Sequence, residues 1–148
     1  RTFCERLAVP PAVVDAVVAT VRDHLKPFQL WYERDKIQES AIRRLALRVP
    51  IERLVVVATA DHFGRTTKEA VEHDDKAGPW LLEQAARLRV KDAAPKPILQ
   101  GRDLVKRGLK PGPDFGAILK ESFEAQLEGQ FVDDNGAQQW LDARLSKS

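Results

Sequence analysis

The stretch "GRDLVKRGLKPGPDFG", residues 101–116, holds four glycines, two prolines and four cationic side chains, and its reading decides the fold. A glycine-rich turn between a strand and a helix would mark an α/β nucleotide-binding protein; the same residues between two helices mark a corner in an all-α one. A nucleotide-cradling loop needs a lysine followed by Ser or Thr at the helix start, and Gly108-Leu109-Lys110 has no hydroxyl after it. Residues 102–107 instead read as a short helix, with Gly108 as its left-handed cap and Leu109 as the apolar residue that closes such a cap. Pro113 suits the first position of the next helix, and Asp114 the first turn, where a carboxylate complements the helix dipole. The corner reading wins. A milder phosphate role stays open, in which amides at the Pro113 helix start, with Lys110 and Arg107 beside them, hold a nucleic-acid phosphate.

Outward from this corner, apolar residues recur at helical spacing and no sustained period-two alternation appears, so the chain reads as all-α. Pro10 and Pro11 suit a helix start, after which Val13, Val14, Val17, Val18, Val21 and Leu25 form an apolar face until Lys26-Pro27 stops it. A second helix is expected over residues 37–48, with Arg43, Arg44 and Arg48 facing outward. A third starts near Pro50, its run of residues 54–58 apolar on all sides as in a buried central helix, and ends at a left-handed Gly64. Residues 65–76 read as a polar linker with at most a short helical turn, and Pro79 opens a fourth helix. After Val90, "KDAAPKP" should be extended because each proline disfavours helix before it. The expected division is therefore residues 1–90 as a helical lobe, 91–97 as a linker and 98–148 as a three-helix C-terminal bundle. In that bundle a helix from Pro113 ends at Gly129, and another starts at Asp133-Asp134.

With 43% hydrophobic and 31% charged residues, composition is that of an ordinary globular chain, and no apolar run approaches the roughly 20 residues of a membrane helix. The single cysteine, Cys4, cannot form an internal disulfide and reads as an inert small hydrophobe, so a reducing, cytoplasmic setting is expected. The chain opens with Arg1 and contains no methionine, which reads as a piece of a longer protein. Its net charge of +2 hides an uneven distribution. Residues 87–110 carry eight cations (Arg87, Arg89, Lys91, Lys96, Arg102, Lys106, Arg107 and Lys110) against Asp92 and Asp103, while the chain after Asp114 is acidic.

Few residues suggest chemistry. In "ATADHFGR", Asp61 shares a helical face with Leu54 and Ala58, so its carboxylate should point inward and need a partner, either Arg65 four residues on or a metal. His24, on the apolar face of the first helix, reads as a hydrogen-bonded core residue or as a ligand. His73-Asp74 spells a metal-binding pair but sits in a polar run, which reads as a solvated charge cluster. No zinc spacing, nucleophile motif or HExxH helix is present, and the chain holds no complete catalytic constellation.

"ILQGRDLVKRGLKPGPDFGAILKESFEAQLEGQFVDDNGAQQWL", residues 98–141, resembles the C-terminal module of bacterial CCA-adding tRNA nucleotidyltransferases and the related poly(A) polymerases. The shared elements are G-x-D-L, G-L-K-P-G-P-x-F-G-x-I-L, the Q-L-E-G helix end and A-x-x-W-L. Upstream, "VRDHLKPFQLWY", "AIRRLALRV" and "LVVVATADHFGR" resemble the HD-type, phosphohydrolase-like domain in the middle of the same proteins. The resemblance implies that nucleotidyl transfer belongs to a catalytic head absent from this chain, with a divalent metal such as magnesium expected for the parent and no cofactor for the fragment. It implies Asp61 as the last metal ligand of the HD domain and His24 as an accessory one, in an incomplete site, and makes His73-Asp74 a decoy by its order. It also implies tRNA, or another RNA, as the partner, held by phosphate contacts from Arg102, Lys106, Arg107 and Lys110. Homo-oligomerisation stays open. The alternatives are the distal half of a metal-dependent HD phosphohydrolase with a helical appendage, and a protein-interaction domain without RNA contact.

Overall fold

The computed structural model describes Phe3, residues 6–72 and residues 74–146. Cys4 and His73 lie outside the described residues, and with them the readings attached to each. Among the described residues every regular element is helical and none is a strand. The chain divides into two compact units, Arg1–Ala94 and Pro95–Ser148.

The first unit contains α1 (Pro11–Asp23), α2 (Lys26–Tyr32), α3 (Glu39–Arg48), α4 (Ile51–Phe63), the single turn α5 (Lys68–Val71) and α6 (Ala77–Arg87). Helix α6 packs against both α2 and α4. Its Leu81 and Ala85 are fully buried among Ile42, Leu45, Val49, Ile51 and Leu54, the burial that holds a domain of this size together. Trp31 and Trp80 meet edge to face at 5.9 Å, joining α2 to α6. Asp75 sets the start of α6 by accepting a hydrogen bond from Gly78 N–H at 3.0 Å, and its other oxygen accepts from Thr59 of α4. The acidic run is thus a tie between helices rather than a solvated cluster at this residue.

Several expectations for this unit need correction. The first helix does end before Lys26-Pro27, at Asp23, but helical structure resumes at once: Pro27 sits buried in the first turn of α2, where its missing N–H costs nothing. Of the apolar face expected on α1, only Val14 is buried, while Val13, Val17, Val18, Val21 and Leu25 are exposed. Helix α4 is buried on one side, through Leu54, Val55 and Ala58, with Val56 68% exposed, because its neighbours cover only that side. Gly64 has φ −74°, an ordinary right-handed end rather than a left-handed cap. Arg43 is buried and bonds Glu39 at 2.8 Å, and Arg48 reaches Asp23 of α1 with two bonds of 3.2 Å. Burial pushes the Asp23 carboxyl up, but the hydrogen bonds and charge of Arg48, with Arg22 beside it, prevail and hold it below its ordinary value.

The second unit contains α7 (Gly101–Lys106), α8 (Pro113–Leu127) and α9 (Asp134–Leu145) around Leu99, Leu104, Ile118, Ala125, Phe131, Ala137 and Leu141. The segment before α7 is clasped by one amide: Gln126 Oε1 accepts from Ile98 N–H at 3.0 Å and Gln126 Nε2 donates to the Lys96 carbonyl at 2.8 Å. Asp133 caps α9 by accepting from Gly136 N–H at 2.8 Å.

Candidate nucleic-acid interface

The corner around Gly108 is built from both ends. Gln100 N–H donates to the Asp103 carboxylate at 2.9 Å, closing the first turn of α7 and burying Asp103. At the other end Gly108 takes φ +83°, Gly108 N–H reaches the Val105 carbonyl at 2.9 Å and Leu109 N–H the Leu104 carbonyl at 3.2 Å. This is the Schellman pairing, and Leu109 packs onto the core as the motif requires. Gly112 is extended, and Pro113 starts α8.

The corner distributes its four cations unequally. Arg102 and Lys110 are exposed, and so is Lys106, whose Nζ is 4.0 Å from the buried Asp103 carboxylate. Arg107 is different: its Nε donates to Asp142 of α9 at 2.6 Å and only 25% of its side chain is exposed. The hydrogen bond and charge of Asp142 raise the Arg107 pKa, and Arg107 in turn holds Asp142 below the usual carboxylate range. A second tie, Arg144 to Glu121 at 2.7 Å, joins α9 to α8. Neither Gly108 nor Gly116 has a heavy atom within 4 Å of where a Cβ would stand, whereas at Gly101 the Phe115 ring lies 3.1 Å from that point, so the backbone is open at the first two and covered at the third.

Of the remaining cations of residues 87–110, Lys96 belongs to the second unit and is exposed, and the three in the first unit are partly neutralised. Arg87 bonds Glu39 at 2.6 Å and Lys91 bonds Glu52 at 3.2 Å, leaving Arg89 exposed. The run of charge in sequence is therefore shared between the two units.

Asp61 and His24, expected as parts of an incomplete metal site, are joined by no third ligand among the described residues. The Asp61 carboxylate is 41% exposed rather than turned inward, and it pairs with Arg65 on the next turn. The Arg65 hydrogen bond lowers its pKa, with smaller contributions from Arg65, His24 and His62 as charges. His24 is near enough to act on Asp61, but its Nδ1 is engaged with the Val21 carbonyl at 2.5 Å. Among the described residues no group of three or more His, Cys, Asp or Glu side chains is placed to hold a metal ion, so Asp61 and His24 do not by themselves fit a divalent cation. The inward position belongs instead to His62, which the sequence reading passed over although it lies four residues after buried Ala58. Its ring packs on Phe28 at 5.0 Å, and its buried Nε2 has no hydrogen-bond partner among the described residues.

Known proteins bear on this geometry. The chain is 33% identical over 125 residues to a protein of Xanthomonas oryzae described as a multifunctional CCA protein, covering 82% of this chain and 28% of that one. It is 32% identical over 126 residues to a CC-adding tRNA nucleotidyltransferase of Thermus thermophilus, covering 84% of this chain and 26% of the relative. A multifunctional CCA protein of Xanthomonas euvesicatoria is 30% identical over 125 residues. The chain thus spans about a quarter of the length of the curated relatives it matches. No protein-family model matches it, and no solved structure matches it.

Proposed function

This chain belongs to the family of CCA-adding tRNA nucleotidyltransferases, of which it represents a C-terminal region, and from that premise we propose that it is a helical body that binds tRNA for a nucleotidyl-transferring part lying outside it. In this reading Arg102, Lys106 and Lys110 contact backbone phosphates, and a cytoplasmic setting follows from the tRNA substrate. Arg107 serves mainly to hold α9 against the end of α7, since Asp142 already neutralises it. The observation that carries the reading is the glycine corner, where three exposed cations flank an exposed Gly108 with no heavy atom within 4 Å of where its Cβ would stand. A sugar-phosphate strand can approach such a surface closely, and phosphate contacts supply most of the affinity in binding of this kind. Recognition by shape and phosphate needs no base reading, and the corner has no exposed aromatic to stack on bases.

The test is tRNA binding as a function of salt, for the chain and for the triple variant Arg102→Glu, Lys106→Glu, Lys110→Glu. Losing three phosphate contacts should flatten the slope of log K against log[salt] by about 2–3. Oligo(A) should compete poorly if tRNA is the partner and well if a poly(A)-type substrate is. An unchanged slope in the triple variant removes the corner from the interface.

A further inference from the structure

Helix α1 displays valines where water should be. Val13, Val17 and Val21 form a ridge at four-residue spacing and are 47%, 46% and 59% exposed. Beside the ridge runs a furrow of Ala12, Ala16 and Thr20, and with Val57 and Arg53 of α4 the two line an open groove of about 580 Å³. The Thr20 hydroxyl donates to the Ala16 carbonyl at 2.8 Å, so its proton is used within the helix and is not offered to the furrow. Arg53 is the one charge in the lining, and no described acid pairs with it.

These valines gain nothing from the helix they sit on. Valine is a poorer helix former than alanine or leucine, so a solvent-facing valine ridge loses both propensity and burial. Contiguous exposed apolar surface of this kind ordinarily marks an interface. A ridge beside a furrow, both running at four-residue spacing, is the surface onto which another helix packs, ridge into groove.

Two features select the occupant. A second copy of this chain, docked groove to groove about a two-fold axis, would bring Arg53 of each copy to the same seam, where like charges repel. The homologous relatives are three to four times longer than the segment this chain matches, and a helix joined covalently to the groove acts at an effective concentration in the millimolar range. We propose that the α1/α4 groove seats an amphipathic helix from the remainder of the longer protein, apolar toward Val13, Val17 and Val21 and carrying a carboxylate opposite Arg53. This rests on the family relationship and is independent of the tRNA interface.

The test is thiol labelling at one exposed ridge position. Val17→Cys, in a Cys4→Ser background, is treated with N-ethylmaleimide in the 148-residue chain and in the full product of its gene, and modification at residue 17 is read by peptide mass. The isolated chain should label freely at all concentrations, and the longer protein at least about tenfold more slowly. Equal rates in the two overturn the proposal, as does protection in the 148-residue chain that grows with its concentration, the signature of a second copy. Adding Arg53→Glu to the longer protein should restore labelling at residue 17 while leaving the melting temperature of the 148-residue chain unchanged. Undiminished protection in that variant overturns the charge-matched helix.

Discussion

Three helices end with the same backbone device, and one of the three uses a residue that disfavours it. Gly108 after α7 and Gly129 after α8 have φ +83° and +79°; Arg89 after α6 has φ +57°. In each case the next residue reaches back to the helix, as Leu109 to Leu104, Gln130 to Ala125 and Val90 to Ala85. A side chain in the left-handed region costs about 1–2 kcal/mol. Glycine avoids this but loses about 0.5–1 kcal/mol more chain entropy on folding. At Gly108 a Cβ would meet nothing within 4 Å, so no steric contribution enters. Gly108→Ala should therefore destabilise the second unit by about 1 kcal/mol, a fall of roughly 4–8 °C in Tm for a unit this small. Arg89→Gly should stabilise the first unit by about 0.5–1 kcal/mol, because Arg89 is exposed and its guanidinium has no described partner. Gly116→Ala is the control: inside α8 with open space around it, it should stabilise by about 0.5–1 kcal/mol through helix propensity alone. Urea denaturation followed by indole N–H resonances separates the units, since Trp140 donates to Gln130 in the second and Trp31 and Trp80 pack in the first. A neutral Gly108→Ala, or an Arg89→Gly that destabilises, refutes the left-handed account.

Arg48→Ala should destabilise the first unit by about 2 kcal/mol by leaving the buried Asp23 carboxylate without its two strongest hydrogen bonds. Because the folded Asp23 pKa is depressed, its stabilisation is fully present above the ordinary value of 3.8 and is lost as pH falls through the lower folded value. Asp23→Asn should accordingly flatten the acid limb of stability against pH below about 4, and an unaltered limb would deny Asp23 that role. Asp75→Ala should cost about 1–2 kcal/mol in denaturant melts by removing the acceptor for Gly78 N–H at the start of α6 along with the Thr59 bond; Asp74→Ala, exposed and paired with Lys76, should change stability little.

What could be read from local pattern was read correctly where one residue type has one physical explanation. Helical spacing without alternation excluded strands, and Gly108, Gly129 and Pro113 marked helix ends and starts because glycine alone enters the left-handed region cheaply and proline alone lacks an N–H. Pro27 and Arg89 escaped that logic, and so did Gly64, which keeps a right-handed φ of −74°. The first has two admissible uses, helix stop or helix start, and the second stands in a conformation its side chain disfavours, held there by the packing of Val90. The corner was placed from sequence as well, but not the division of labour among its cations, since Arg107 meets Asp142 across 35 residues of chain.

An apolar face can be counted on a helical wheel, but not what lies against it. The valines of α1 looked like core by spacing and are solvent-facing here, while Asp61 looked inward by the same argument and His62 took that place. Sequence alone determined the helical class, the corner and the family resemblance, because propensity, capping and motif spacing are local properties of the chain. Tertiary structure alone decided which faces are covered and which charges are paired, because burial depends on neighbours supplied from distant positions.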